Sequence, residues 1–138
     1  MDRMTLAALE ATAELYRDHR VARHEIPALR MIHESPSLLK ARATRLVEAL
    51  GDVEGLEVVA THSVVGGGTL PGAEMPSWGV GVGRGDNATE LATTLRQGCG
   101  GTDPIVARVH EGRVILDLRT VPESRDPDLE TALRALLS

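Results

Sequence analysis

Three features of the chain are of a kind that does chemistry. The first is Val65 to Pro71 (VGGGTLP), where Gly66, Gly67 and Gly68 run together before Thr69. Successive glycines leave backbone N–H groups open to an anion or to a closely packed backbone. The same run also reads as a plain connection between two strands, and it lacks the lysine of a phosphate-binding loop. The second feature is Arg119, which follows a mostly apolar stretch and precedes Thr120, Val121 and Pro122. A guanidinium at a strand end can grip a carboxylate or phosphate through two parallel hydrogen bonds. A salt bridge to a neighbouring acid is the other reading. Arg108 and Arg113 face the same choice, between solvent and a pairing with Glu111 or Asp117. The third feature is Lys40, the single lysine among fifteen basic residues.

Other patterns fall short of a site. Gly79 to Asn87 (GVGVGRGDN) lacks dinucleotide-binding spacing, because Arg84 and Asp86 stand where the third glycine is needed. Arg84-Gly85-Asp86 matches an adhesion tripeptide by chance. His19 and His24 are five apart, off the spacing that puts two ligands on one helical face. Cys99 stands alone in a glycine turn, without a base to activate it. No metal site is expected. The net charge of -5 gives no basic surplus for a nucleic-acid domain. No run approaches the ~20 apolar residues of a membrane helix, and no secretory leader is evident. One cysteine cannot make an internal disulfide, which fits a reducing compartment. These observations set the expectation of a cytoplasmic protein with no membrane contact.

The elements that must position these residues change character along the chain. Thr5 to Tyr16 places Leu6, Leu9, Ala13 and Tyr16 on one helical face, with Thr5 as the cap. Arg17 to Glu25 is charged and exposed. Pro27 opens a short helix, and Ser35-Pro36 opens a longer one, with Leu38, Leu39, Arg42, Leu46, Val47 and Leu50 in one stripe and Gly51 past its end. From Gly55 the texture turns to strands: Leu56 to Val65, then Trp78 to Val82. A helix follows Asn87. Ile105 to His110 and Arg113 to Leu118 form a hairpin about Glu111-Gly112, and Asp126-Pro127 starts a last helix. This order predicts an α+β fold, a three- to four-stranded, mostly antiparallel sheet packed with helices. Residues 1–54 read as a helical lead-in and residues 55–138 as the α+β domain.

Several segments together resemble bacterial L-seryl-tRNA(Sec) selenium transferase, selenocysteine synthase. They are TLAALEAT, IPALRMI, SPSLLKARA, VGGGTLPGAEMPS and PIVARVHEGRVILDLRTV, in that order. The glycine segment and the last segment are the specific ones. The resemblance implies the small C-terminal domain of an aspartate-aminotransferase-like (fold type I) pyridoxal-phosphate enzyme. Such enzymes convert seryl-tRNA(Sec) to selenocysteinyl-tRNA(Sec) with selenophosphate, through a cofactor-bound aminoacrylyl intermediate, and assemble as a ring of dimers. It implies that the cofactor lysine lies upstream, so no catalytic residue and no covalently bound cofactor are expected here. By analogy with small domains of that fold, Gly66, Gly67, Gly68, Thr69 and Arg119 become the candidates nearest substrate. Leu6, Leu9 and Tyr16 are expected to leave an apolar surface that promotes self-association. Two other readings carry the same elements: the small domain of a related pyridoxal-phosphate lyase, and a free-standing, non-enzymatic module for ligand binding or dimerisation.

Overall fold

Glu111 and Gly112 have φ of 50° and 70°, the paired left-handed conformations of a two-residue hairpin turn. They join β3 (Arg108–His110) to β4 (Arg113–Asp117), with His110 opposite Arg113, as the sequence predicts. The computed structural model describes residues 2–66, 73–83 and 85–138. In it the hairpin forms one edge of a four-stranded antiparallel sheet. β1 (Leu56–Val64) and β2 (Glu74–Val82) complete it in the order β1-β2-β4-β3. Among the described residues six α-helices accompany the sheet, which gives the expected α+β class.

The chain divides into two compact units, residues 1–34 and 35–138. The first holds α1 (Arg3–Leu15), α2 (His19–Glu25) and α3 (Pro27–His33). Among its described residues only Ala22 is buried. The cap of α1 is Asp2 rather than Thr5: the Thr5 N–H donates to the Asp2 carboxylate at 2.9 Å. α2 forms where the sequence reads only an exposed charged stretch, because Asp18 caps it through the Arg20 N–H at 2.9 Å.

The second unit has α4 (Pro36–Leu50), α5 (Ala88–Gln97) and α6 (Asp126–Leu137) on one face of the sheet. Leu39, Leu46 and Leu95 pack there with Val80, Val82, Val114, Leu116 and Leu133. Because α4 packs on β2 and β1, this compact unit begins at Ser35. The change of texture read in the sequence lies later, at residues 54–55. Arg42, placed by the sequence reading in the apolar stripe of α4, is buried but ion-paired. Its Nη2 meets the Asp126 carboxylate at 2.5 Å, and its Nη1 donates to the carbonyls of Leu118 and Val121. Leu38, from the same stripe, is 63% exposed.

Two strands differ in length from the sequence reading. β3 starts at Arg108, not Ile105, because Pro104 has no N–H and the Ile105 N–H donates to the Leu95 carbonyl at the end of α5. β2 runs back to Glu74 through Pro76, which pairs with His62. Proline is tolerated there because β4 has already ended opposite Gly79, leaving no ladder bond to lose on that side.

Candidate functional site

Part of the sheet face away from the helices carries small and polar residues. Strand alternation puts Thr61 and Ser63 of β1, Ser77 and Gly79 of β2, and Asp117 of β4 on this face. Gly79 stands opposite Asp117, and a Cβ built on it would lie 2.1 Å from the Leu116 carbonyl oxygen. Backbone therefore fills the place of a side chain, and only glycine lets β4 come this close.

That approach assembles a polar cluster around Asp117. Ser63 Oγ donates to its Oδ2 at 2.5 Å, and Ser77 Oγ donates to its Oδ1 at 2.6 Å. The Arg119 backbone N–H donates to Oδ1 at 3.2 Å, so Asp117 also caps the 3-10 turn at Leu118–Thr120. From β3, Arg108 donates to Thr61 Oγ1, with its Nη2 3.9 Å from Asp117 Oδ2. Arg113 pairs with Glu57, flanking Gly81. Ser77 is 1% and Ser63 6% exposed. Buried hydroxyls need partners, and this carboxylate supplies them.

The cluster is not an activated nucleophile. Both serine hydroxyls are committed to the carboxylate, and His62, beside Ser63, points to the other face of its strand. What the arrangement does is fix three segments relative to one another: β1, β2 and the turn after β4. Among the described residues no group of His, Cys, Asp and Glu could hold a metal ion. No helix of the described residues is long and apolar enough to cross a membrane.

Of the residues singled out in the sequence, Arg119 lies in the turn after β4 and is 5% exposed. Its Nη2 donates to the Pro76 carbonyl at 2.7 Å. Gly66 lies just past β1, at the end of the β1–β2 hairpin where Pro76 also stands. Gly67, Gly68 and Thr69 fall outside the described residues. Lys40 lies over the Trp78 ring, its Nζ 4.5 Å from the ring centroid. Trp78 packs against the helix-covered core, on the opposite face from Asp117. In the sequence Asp117 stands out only as a possible ion-pair partner, and Ser63 and Ser77 do not stand out. The available signal was alternation: Thr61 and Ser63 repeat at strand spacing, and Asp117 interrupts the apolar run VIL-D-L.

Comparison with known proteins bears on the whole chain. Residues 1–122 match the profile of a family described as L-seryl-tRNA selenium transferase. A protein of Geotalea uraniireducens named L-seryl-tRNA(Sec) selenium transferase is 42% identical over 141 residues, covering 99% of this chain and 30% of that protein. The protein of the same name from Nitratidesulfovibrio vulgaris is 42% identical over 142 residues, with the same two shares. That of Geobacter sulfurreducens is 38% identical over 143 residues, covering 100% of this chain and 30% of that protein. The chain therefore spans about 30% of the length of the curated relatives it matches.

Proposed function

The chain belongs to the L-seryl-tRNA selenium transferase family, and on that premise we propose that it is one segment of an enzyme that replaces the hydroxyl of a tRNA-bound serine with selenium. The substrate of the whole enzyme is seryl-tRNA(Sec), the selenium donor is selenophosphate, and the product is selenocysteinyl-tRNA(Sec). The observation that carries this reading is the extent of the family match, which runs from the first helix through the Arg119 turn.

Within that enzyme the segment is the small domain of a fold type I pyridoxal-phosphate protein. A four-stranded antiparallel sheet with helices on one face suits that role. The cofactor belongs to another part of the full-length protein, because Lys40 stacks on Trp78 and its amine lies across the sheet from the polar cluster. This chain on its own is not a catalyst. Its contribution is a wall: Gly66, just past β1, and Arg119, in the turn after β4, are the candidates nearest the substrate, and the family resemblance adds Gly67, Gly68 and Thr69. As held here, Arg119 is 5% exposed and donates to the Pro76 carbonyl, so contact with an oxyanion requires exchange of the bonds that hold it.

The exposed side chains of α1 fit a segment that meets more protein. Leu6 is 51%, Leu9 58% and Tyr16 49% exposed, and α1 buries no residue. In the full-length enzyme this surface packs within the homo-oligomer; in the chain by itself it drives self-association.

The test is a graft. A full-length selenium transferase whose corresponding segment is replaced by residues 1–138 should still form selenocysteinyl-tRNA, and the same enzyme without that segment should not. A well-folded graft devoid of activity would contradict the proposal.

A further inference from the structure

We propose that β1 is a contact strand for a second copy of this chain, the two strands pairing antiparallel about Ala60 to join two four-stranded sheets. The inference stands apart from the reading above and uses neither Arg119 nor α1. The Gly83 N–H donates to the Gly55 carbonyl at 2.9 Å. These residues continue the register in which Leu56 lies opposite Val82. Alternate residues of an antiparallel pair exchange bonds, so Glu57, Val59, Thr61 and Ser63 bond to β2. Val58, Ala60, His62 and Val64 turn their backbone N–H and C=O groups away from it. Among the described residues no backbone bond reaches these four from the outer side. Leu56, which also turns outward, gives its N–H to the Val53 carbonyl at 3.1 Å.

β1 is one edge of the sheet, and native edges are blunted by shortness, charge, proline or a bulge. The other edge follows that rule: β3 has three residues, among them Arg108 and His110, and Pro104 stands shortly before it. β1 does not. It runs nine residues in unbroken register with β2, without lysine, arginine or proline. Its one carboxylate, Glu57, is paired with Arg113. The helices leave the far end of this edge open: Ala60 and His62 are exposed, and Val64 is 58% exposed. A second copy fits because β1 complements itself. About Ala60 the whole strand overlaps, with Leu56 opposite Val64 of the copy, Val58 opposite His62, Val59 opposite Thr61 and Glu57 opposite Ser63. No like charges meet. Only alanine faces alanine on the two-fold axis, and that symmetry closes the assembly at two copies.

The experiment uses the whole chain carrying Leu6→Ser and Leu9→Ser, so that α1 does not contribute. Amide hydrogen exchange is read by NMR from dilute to concentrated solution. The Ala60 and His62 amides should exchange freely when dilute and slow about tenfold where about nine-tenths of the chain is paired. Val59 and Thr61, bonded to β2, should be protected throughout. Ala60→Lys sets like charges face to face at an exposed site. It should weaken association about fivefold in sedimentation, with the melting temperature of the dilute protein unchanged. With Cys99→Ser, Ala60→Cys should oxidise to a covalent dimer, since facing Cα atoms lie about 5.5 Å apart, within disulfide reach. Val106→Cys, at a site 79% exposed in the segment leading to β3, should not. Outward amides that stay fast at every concentration would overturn the proposal. So would Ala60→Cys that cross-links no faster than Val106→Cys, or association unaltered by Ala60→Lys.

Discussion

Arg42 and Asp126 meet at 2.5 Å although 84 residues separate them in sequence. The pair fastens α4 to the start of α6, and the two further Arg42 bonds to the Leu118 and Val121 carbonyls bring in the turn that carries Arg119. One buried guanidinium thus joins the first helix of the second unit, the last helix, and the turn between the sheet and that helix.

Arg42→Ala should therefore destabilise the second unit by about 3–5 kcal/mol, because it leaves a part-buried carboxylate and two carbonyls without their donor. Urea unfolding followed by the fluorescence of Trp78, the single tryptophan, measures this. A loss below about 1 kcal/mol would show that the pair is replaceable by water.

Gly79→Ala should cost roughly 1–3 kcal/mol, the usual range for overpacking, because its Cβ meets the Leu116 carbonyl oxygen at 2.1 Å. The damage should be local. Amide hydrogen exchange should quicken at Arg119, whose N–H depends on Asp117, more than in α4. Wild-type stability with unchanged exchange at Arg119 would show that β2 and β4 do not need this approach.

Glu123 supplies the pH dependence. The hydrogen bond from Arg45, at 2.8 Å, is the main reason its carboxyl titrates below the ordinary glutamate range. A depressed folded-state value means stabilisation that is complete above the unfolded-state value and is lost as pH falls through the folded one. The wild type should exceed Glu123→Gln slightly in thermal stability at neutral pH. That advantage should vanish in acid and shrink in high salt, because the pair is exposed. An advantage that persists at acid pH would assign it to something other than this charge.

Leu6 and Leu9 test the surface of α1. Sedimentation of the chain should show reversible self-association in the micromolar range, reduced in a Leu6→Ser, Leu9→Ser variant whose melting temperature is unchanged. A monomer at every concentration would contradict the proposed role of this face.

Much of this architecture is legible in the sequence, for stated reasons. The Glu111-Gly112 hairpin is legible because a turn with two positive φ values has a narrow chemistry. The long helix after Ser35-Pro36 is legible because its start and its apolar stripe agree. Arg42 is not, since an arginine inside an apolar stripe gives no sign that a partner arrives 84 residues later. Nor is the extension of β2 through Pro76, which depends on where β4 stops. Of the site, Arg119 was marked by type and position, whereas Ser63, Ser77 and Asp117 become one cluster only when three strands are laid side by side. Alternation hinted at their common face, but it could not supply the register.

The division of labour proposed here, a substrate-facing wall without the cofactor lysine, is tested most directly by adding pyridoxal phosphate to this chain alone and recording the absorption spectrum. Lys40 sits over Trp78 with its Nζ 4.5 Å from the ring centroid, and the account predicts no stoichiometric Schiff-base band. A band that saturates at equimolar cofactor and disappears in Lys40→Arg would contradict it.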